Sequence, residues 1–225
     1  MKIFLGHGGR IRLGWRIFLF LVLALSIAVP VLFLDIYLSG SGTPTDLGSS
    51  AGILLGSILA GWWLLTRDKR GFSALGFYFS SDAIKESIRG VALGIGIGVI
   101  VITGIFLLGG VRWTSESGTI SGWLLGAFSA LAFFAIPAAM EEAFVRGYPF
   151  QAVVESWGVG AAITITAIIF GALHFSNPDA GWVPLINVTL AGVLLGVVYL
   201  KTLSLWWATG VHLGWNWTLG YLADV

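Results

Sequence analysis

The chain has 225 residues, of which 57% are apolar and only 10% charged, with a mean hydropathy of +0.93 and a formal net charge of +1. Those values place it among polytopic membrane proteins, with room for seven or eight spans of about 20 residues and none for a second, soluble domain. No basic excess or basic–aromatic stripe marks nucleic acid as a partner, and the absence of cysteine removes disulfides, thiolate metal ligands and a cysteine nucleophile.

The leader from Met1 to Arg16 carries Lys2, Arg10, Arg12 and Arg16 ahead of the apolar run Ile17 to Leu34. That run is too long for a signal-peptide core and no small-residue cleavage site follows, so it reads as a first span starting in the cytoplasm. His7, in the glycine-rich leader, reads as a solvated histidine. A Gly/Ser/Thr/Pro connection at Ser39 to Ser50 leads to a second span near Ala51 to Leu65, where Gly52, Gly56 and Ala60 recur at a spacing that lets helix backbones approach. Thr66 to Arg89, with Arg67, Lys69, Arg70, Lys85 and Arg89, reads as a cytoplasmic membrane-surface loop with a short amphipathic helix.

The third span, Gly90 to Leu108, contains Gly90, Gly94, Gly96 and Gly98; with no strand before them, these glycines predict helix packing rather than a phosphate-binding loop. Arg112 to Ile120 is an external loop. A fourth helix is expected from Trp123 through the charged stretch toward Glu155, kinked at Pro137 and Pro149. A turn at Ser156 to Gly160 precedes spans near Ala161 to Phe175, Pro184 to Leu200 and Leu205 to Leu222. With the N-terminus inside, every Lys and Arg except Arg112 falls on or near the cytoplasmic side. The expected fold is an all-α transmembrane bundle of about seven spans: one membrane domain, 1–225, with spans one to three and the basic loop 66–89 in 1–120 and the catalytic core helices in 121–222.

Within Pro137 to Phe150, P-A-A-M-E-E-A-F-V-R-G-Y-P-F, three ionisable groups stand at membrane depth, where each isolated charge costs about 3 kcal/mol or more. Glu142 and Arg146 are four apart and pair on one helix face. Glu141 is rotated about 100° away and is left free to act as a general base. His174 can meet it: in an antiparallel hairpin the midpoint between residues 141 and 174 falls in the Ser156 to Gly160 turn, so both side chains sit about 25 Å from that turn. His212 and Asn216, four apart in H-L-G-W-N, project from one face and suit either an oxyanion or an interhelical clamp.

These residues resemble the CPBP family of intramembrane proteases, which includes the type II CAAX prenyl endopeptidases and the bacteriocin-processing or self-immunity proteins. The matches are E-E-A-F-V-R-G from Glu141, F-G-A-L-H from Phe170 and H-L-G-W-N from His212, in the family's order and covering roughly Gly122 to Gly220. The resemblance implies that Glu141 and His174 activate a water, that His212 and Asn216 stabilise the tetrahedral intermediate, and that Glu142 and Arg146 hold the site. Pro149 departs from the family pattern.

Zinc stays open as a cofactor: Glu141, His174 and His212 form a known ligand type, although the H-E-x-x-H helix of common metalloproteases is absent. The implied partners are membrane lipid and a peptide or lipidated protein substrate, with the oligomeric state open. In a prokaryotic cytoplasmic membrane, the expected location, leader peptides or membrane-protein tails replace prenylated tails. The alternatives are a proton-coupled transporter, against which the absence of internal repeats speaks, and a non-proteolytic scaffold or immunity protein.

Overall fold

The computed structural model describes residue 4 and residues 11–110, 112–113, 118–177 and 181–223. His7, Lys2 and Arg10 lie outside the described residues, as do parts of the expected external loop. Seven α-helices are present among the described residues: α1 (Leu13–Ser39), α2 (Asp46–Arg67), α3 (Ser81–Leu107), α4 (Ile120–Val145), α5 (Tyr148–Leu173), α6 (Trp182–Thr202) and α7 (Leu205–Trp217). A 3-10 turn spans Phe72–Leu75, and a π turn, Thr218–Ala223, extends α7. The described residues contain no β-strand.

Among the described residues five helical runs are long and apolar enough to cross a membrane, with α4 and α5 together forming one run of 54 residues. At 13 residues α7 falls short on its own, and its six-residue π extension brings it to span length. Large apolar side chains such as Phe33, Leu108, Phe128 and Trp182 stand exposed on the outside, the surface of a chain whose solvent is lipid. It is an integral, multi-pass membrane protein.

The helix starts follow local chemistry. Thr45, Ser80, Thr119 and Ser204 each accept a bond from a first-turn backbone N–H, closing donors that would otherwise be orphaned. Small residues then set the packing. A Cβ at Gly56 would collide with the Ala24 carbonyl, so α1 and α2 lie backbone to backbone. Gly90 and Gly94 do the same for α3 against the Trp207 and Val211 carbonyls and Gly98 faces the Thr218 side chain, whereas Gly96 meets nothing within 4 Å. The glycine run of span three is thus a packing surface, as expected.

Three boundaries differ from the sequence expectation. The fourth helix does not run on to Glu155. It stops at Val145, and Gly147, at φ −65° and ψ −127°, opens α5 with Pro149 in its first turn. Proline has no N–H to donate and its ring collides with the carbonyl four residues back; at a helix start neither matters. Pro149 therefore begins a helix rather than kinking one. The basic stretch 66–89 is shorter as a loop than expected, because α3 begins at Ser81 and the only helical turn between α2 and α3 is the 3-10 turn.

The expected turn at Ser156 to Gly160 is present as a break inside α5, where Gly158 takes φ 85° and ψ 171°, a conformation that strains any side chain with a Cβ. This break lies next to the midpoint between Glu141 and His174. The chain therefore descends through α4 and the first part of α5, reverses at Gly158, and returns.

At the end of the bundle that carries most of the cations, Arg16 of α1 is 4% exposed. Its Nε donates to the Tyr148 hydroxyl at 2.7 Å, Nη1 to Glu155 at 2.9 Å and Nη2 to Asp68 at 2.7 Å. Arg70 adds a second bond to Glu155 at 3.0 Å. One guanidinium thus ties α1 to the end of α2 and both ends of the descending part of α5.

Candidate active site

The polar centre is built on adjacent residues of α4 that face different neighbours. Glu142 and Arg146 are fully buried. Arg146 Nη1 donates to Glu142 Oε1 at 3.0 Å, the i,i+4 pair expected from spacing. Arg146 Nη2 donates to the Gly192 carbonyl of α6 at 3.1 Å, and the guanidinium lies 4.2 Å from the centre of the Phe170 ring of α5. The same Glu142 Oε1 bonds His212 Nδ1 of α7 at 2.9 Å. Four helices therefore meet on one charge pair, which carries part of its own desolvation cost through charge-assisted bonds.

Glu141 points elsewhere. Its Oε2 lies 3.6 Å from His174 Nε2 and 3.8 Å from His212 Nε2, and this oxygen is buried without a hydrogen-bond partner. The two imidazoles are oriented from behind. At the end of α5, His174 Nδ1 is 2.8 Å from the Phe170 carbonyl; a carbonyl only accepts, so Nδ1 carries a proton and the ring is turned with Nε2 facing Glu141. His212 lies between two carboxylates, and its imidazolium form, with a donor on each ring nitrogen, matches both of them. Phe170 packs 4.8 Å from His174 and edge-on to His212 at 5.7 Å, separating the rings.

The structure thus brings Glu141, Glu142, Arg146, His174 and His212 into one cluster. Asn216 lines the same cavity as His174 and His212, a space of about 470 Å³ between α3, α6 and α7. Sequence reasoning had missed two further polar groups there, Asn177 and Asn187. The signal for Asn187 was a single amide inside the apolar run V-P-L-I-N-V-T-L; for Asn177 it was the short step from His174 in H-F-S-N. No group of three or more His, Cys, Asp or Glu side chains among the described residues is arranged to hold a metal ion.

Packed helices around a buried carboxylate and two imidazoles define a multi-pass membrane protein with an enzyme-like centre. More narrowly, residues 121–218 match the family model of the type II CAAX prenyl endopeptidase Rce1-like proteins. The matched segment contains all six residues singled out from the motifs, in agreement with the resemblance to the CPBP proteases. That family is one of CAAX-type proteases. No curated protein and no solved structure matches the chain.

Proposed function

We propose that the chain is an intramembrane endopeptidase that hydrolyses a peptide bond of a membrane-associated substrate, with Glu141 as general base. Water sits between Glu141 and His174. Glu141 takes one proton as the oxygen attacks the scissile carbonyl, and His174 Nε2 accepts the other O–H and fixes the water's orientation. The oxyanion that forms receives hydrogen bonds from His212 Nε2–H and the Asn216 amide. Glu141 then returns its proton to the leaving amine. Glu142 and Arg146 touch no reacting atom; they fix the ring of His212 and the junction of α4 with α6. No step passes through a metal.

The observation that carries this reading is the unpartnered Glu141 Oε2 held within 3.8 Å of two imidazole nitrogens beside a cavity. Unsatisfied carboxylate oxygens at membrane depth are costly and mark function. In the proposed topology the chain crosses the bilayer seven times from a cytoplasmic N-terminus, with the reversal at Gly158 on the cytoplasmic side. Residues 1–120 frame the catalytic core, 121–222, and the location is a prokaryotic cytoplasmic membrane.

The test is cleavage of a mixed panel of prenylated and unmodified peptides by the purified protein and its Glu141→Gln variant, each with and without a chelator. Glu141-dependent, chelator-insensitive cleavage is the expected result. Inhibition by chelator that zinc reverses would replace the metal-free mechanism. A folded wild-type protein that cleaves nothing in the panel would count for the scaffold alternative.

A further inference from the structure

Two cavities border the Glu141–His174 pair. One of about 330 Å³ lies toward α1 and α2 and includes Glu141; the larger, between α3, α6 and α7, includes both histidines. The walls of the larger cavity are fixed by close glycine contacts. Gly90 and Gly94 hold α3 on α7, and Gly171 and Gly192 hold α5 and α6 together, Gly171 lying against Leu185 and Thr189 and Gly192 against Ala167. The remaining gap, between α3 and α6, is framed by Val101, Leu190 and Leu194, which are 37%, 62% and 36% exposed. A cleft with such a rim, on a chain surrounded by lipid, opens toward acyl chains.

Asn187 stands in this otherwise apolar α6 wall. Asn187 is exposed at the cavity lining, and its carboxamide has no hydrogen-bond partner among the described residues. The α5–α6 register, with Gly171 between Leu185 and Thr189, sets Asn187 about one helical turn from the height of His174. An amide in a lipid-facing wall is unfavourable unless something bonds it. Its acceptor oxygen and NH2 donor are complementary to the two polar groups of a peptide unit.

We infer that Asn187 is a substrate-positioning residue. It donates to a backbone carbonyl and accepts from a backbone N–H of an extended peptide lying in the cleft between α3 and α6, whose apolar side chains or lipid face the Val101–Leu194 rim. This rests on the peptidase reading of the Glu141 centre. Asn187 lines the cavity from α6 and Asn216 from α7, and the bonds of Asn187 are made in the ground state and the transition state alike. Its loss therefore raises KM and leaves kcat in place.

The experiment is steady-state cleavage, in lipid vesicles, of the panel peptide that the wild type cleaves fastest. Asn187→Leu is expected to raise KM about tenfold, the worth of one or two neutral hydrogen bonds, with kcat within about twofold and an unchanged thermal midpoint. Asn187→Gln keeps the amide and is expected to recover part of the loss. Because the chain has no cysteine, Asn187→Cys in a Glu141→Gln background carries a unique thiol. The same peptide should slow its alkylation by a membrane-permeant maleimide several-fold.

Unchanged KM in Asn187→Leu, a fall in kcat alone, or alkylation indifferent to peptide would overturn the inference while Glu141-dependent cleavage stands. A lowered thermal midpoint that accounts for the lost activity would reassign Asn187 to the fold. Absence of any cleavage by the wild type would remove the peptidase reading and this inference together.

Discussion

The molecule buries two arginines among carboxylates, and it finishes the two clusters differently. Around Arg16 every guanidinium nitrogen has a partner: Tyr148, Glu155 and Asp68 each accept, and Tyr148 in turn donates to Asp68 at 3.2 Å. Around Arg146 the bonding is incomplete. Arg146 Nε, Glu142 Oε2 and Glu141 Oε2 are all buried without partners. A closed network contributes rigidity and leaves nothing to react. An open one, with a carboxylate held just beyond hydrogen-bond range of two imidazoles, retains bonding capacity for water and substrate.

Substitutions can test that contrast, and the largest effect is expected at Arg146. Arg146→Met leaves the buried Glu142 with His212 as its one remaining partner and frees the α6 carbonyl. It should cost about 3–5 kcal/mol of stability and abolish cleavage with it, read as thermal unfolding in detergent alongside activity. Glu141→Gln removes the proposed base from the open cluster and touches no satisfied bond. Cleavage is expected to fall at least about 10³-fold while the unfolding midpoint stays within about 2 °C of wild type. A comparable fall in the midpoint would mean that Glu141 is structural after all.

Arg16→Met opens the closed cluster. Its partners are partly solvated, so the expected loss is smaller, about 2–3 kcal/mol of stability, with turnover per folded molecule within about threefold. A specific loss of turnover would instead make Arg16 part of the site's support. Arg70→Met should do least. Arg70 is about one-third exposed and shares Glu155 with Arg16, so a change of at most about 0.5 kcal/mol is expected from the same melts.

Relations along one helix, or across one hairpin, were legible in the chain. The Glu142–Arg146 pair follows from a four-residue spacing on a single helix. The meeting of Glu141 with His174 follows from a turn near the midpoint between them, and Gly158 supplies it. The packing role of Gly90, Gly94 and Gly98 follows from their four-residue repeat. The end of α4 was misplaced because Pro149 reads equally as a kink or a start; only its neighbours' dihedrals distinguish the two.

Relations between helices distant in sequence were not legible. The bond from His212 to Glu142 spans 70 residues and depends on the rotation of α7 against α4, which is fixed by side-chain packing that no spacing encodes. Arg16 looked like one more cytoplasmic charge beside a first span; its burial depends on Asp68 and Glu155 arriving from α2 and α5. Asn187 carried no motif at all, and it acquires meaning only from the cavity that α3 and α7 build opposite it. Sequence by itself determined that this is a helical membrane protein with a buried carboxylate and two histidines, because hydropathy and helical periodicity are local quantities. Tertiary structure alone decided which polar groups are satisfied and which are left open, because satisfaction depends on partners brought together from separate helices.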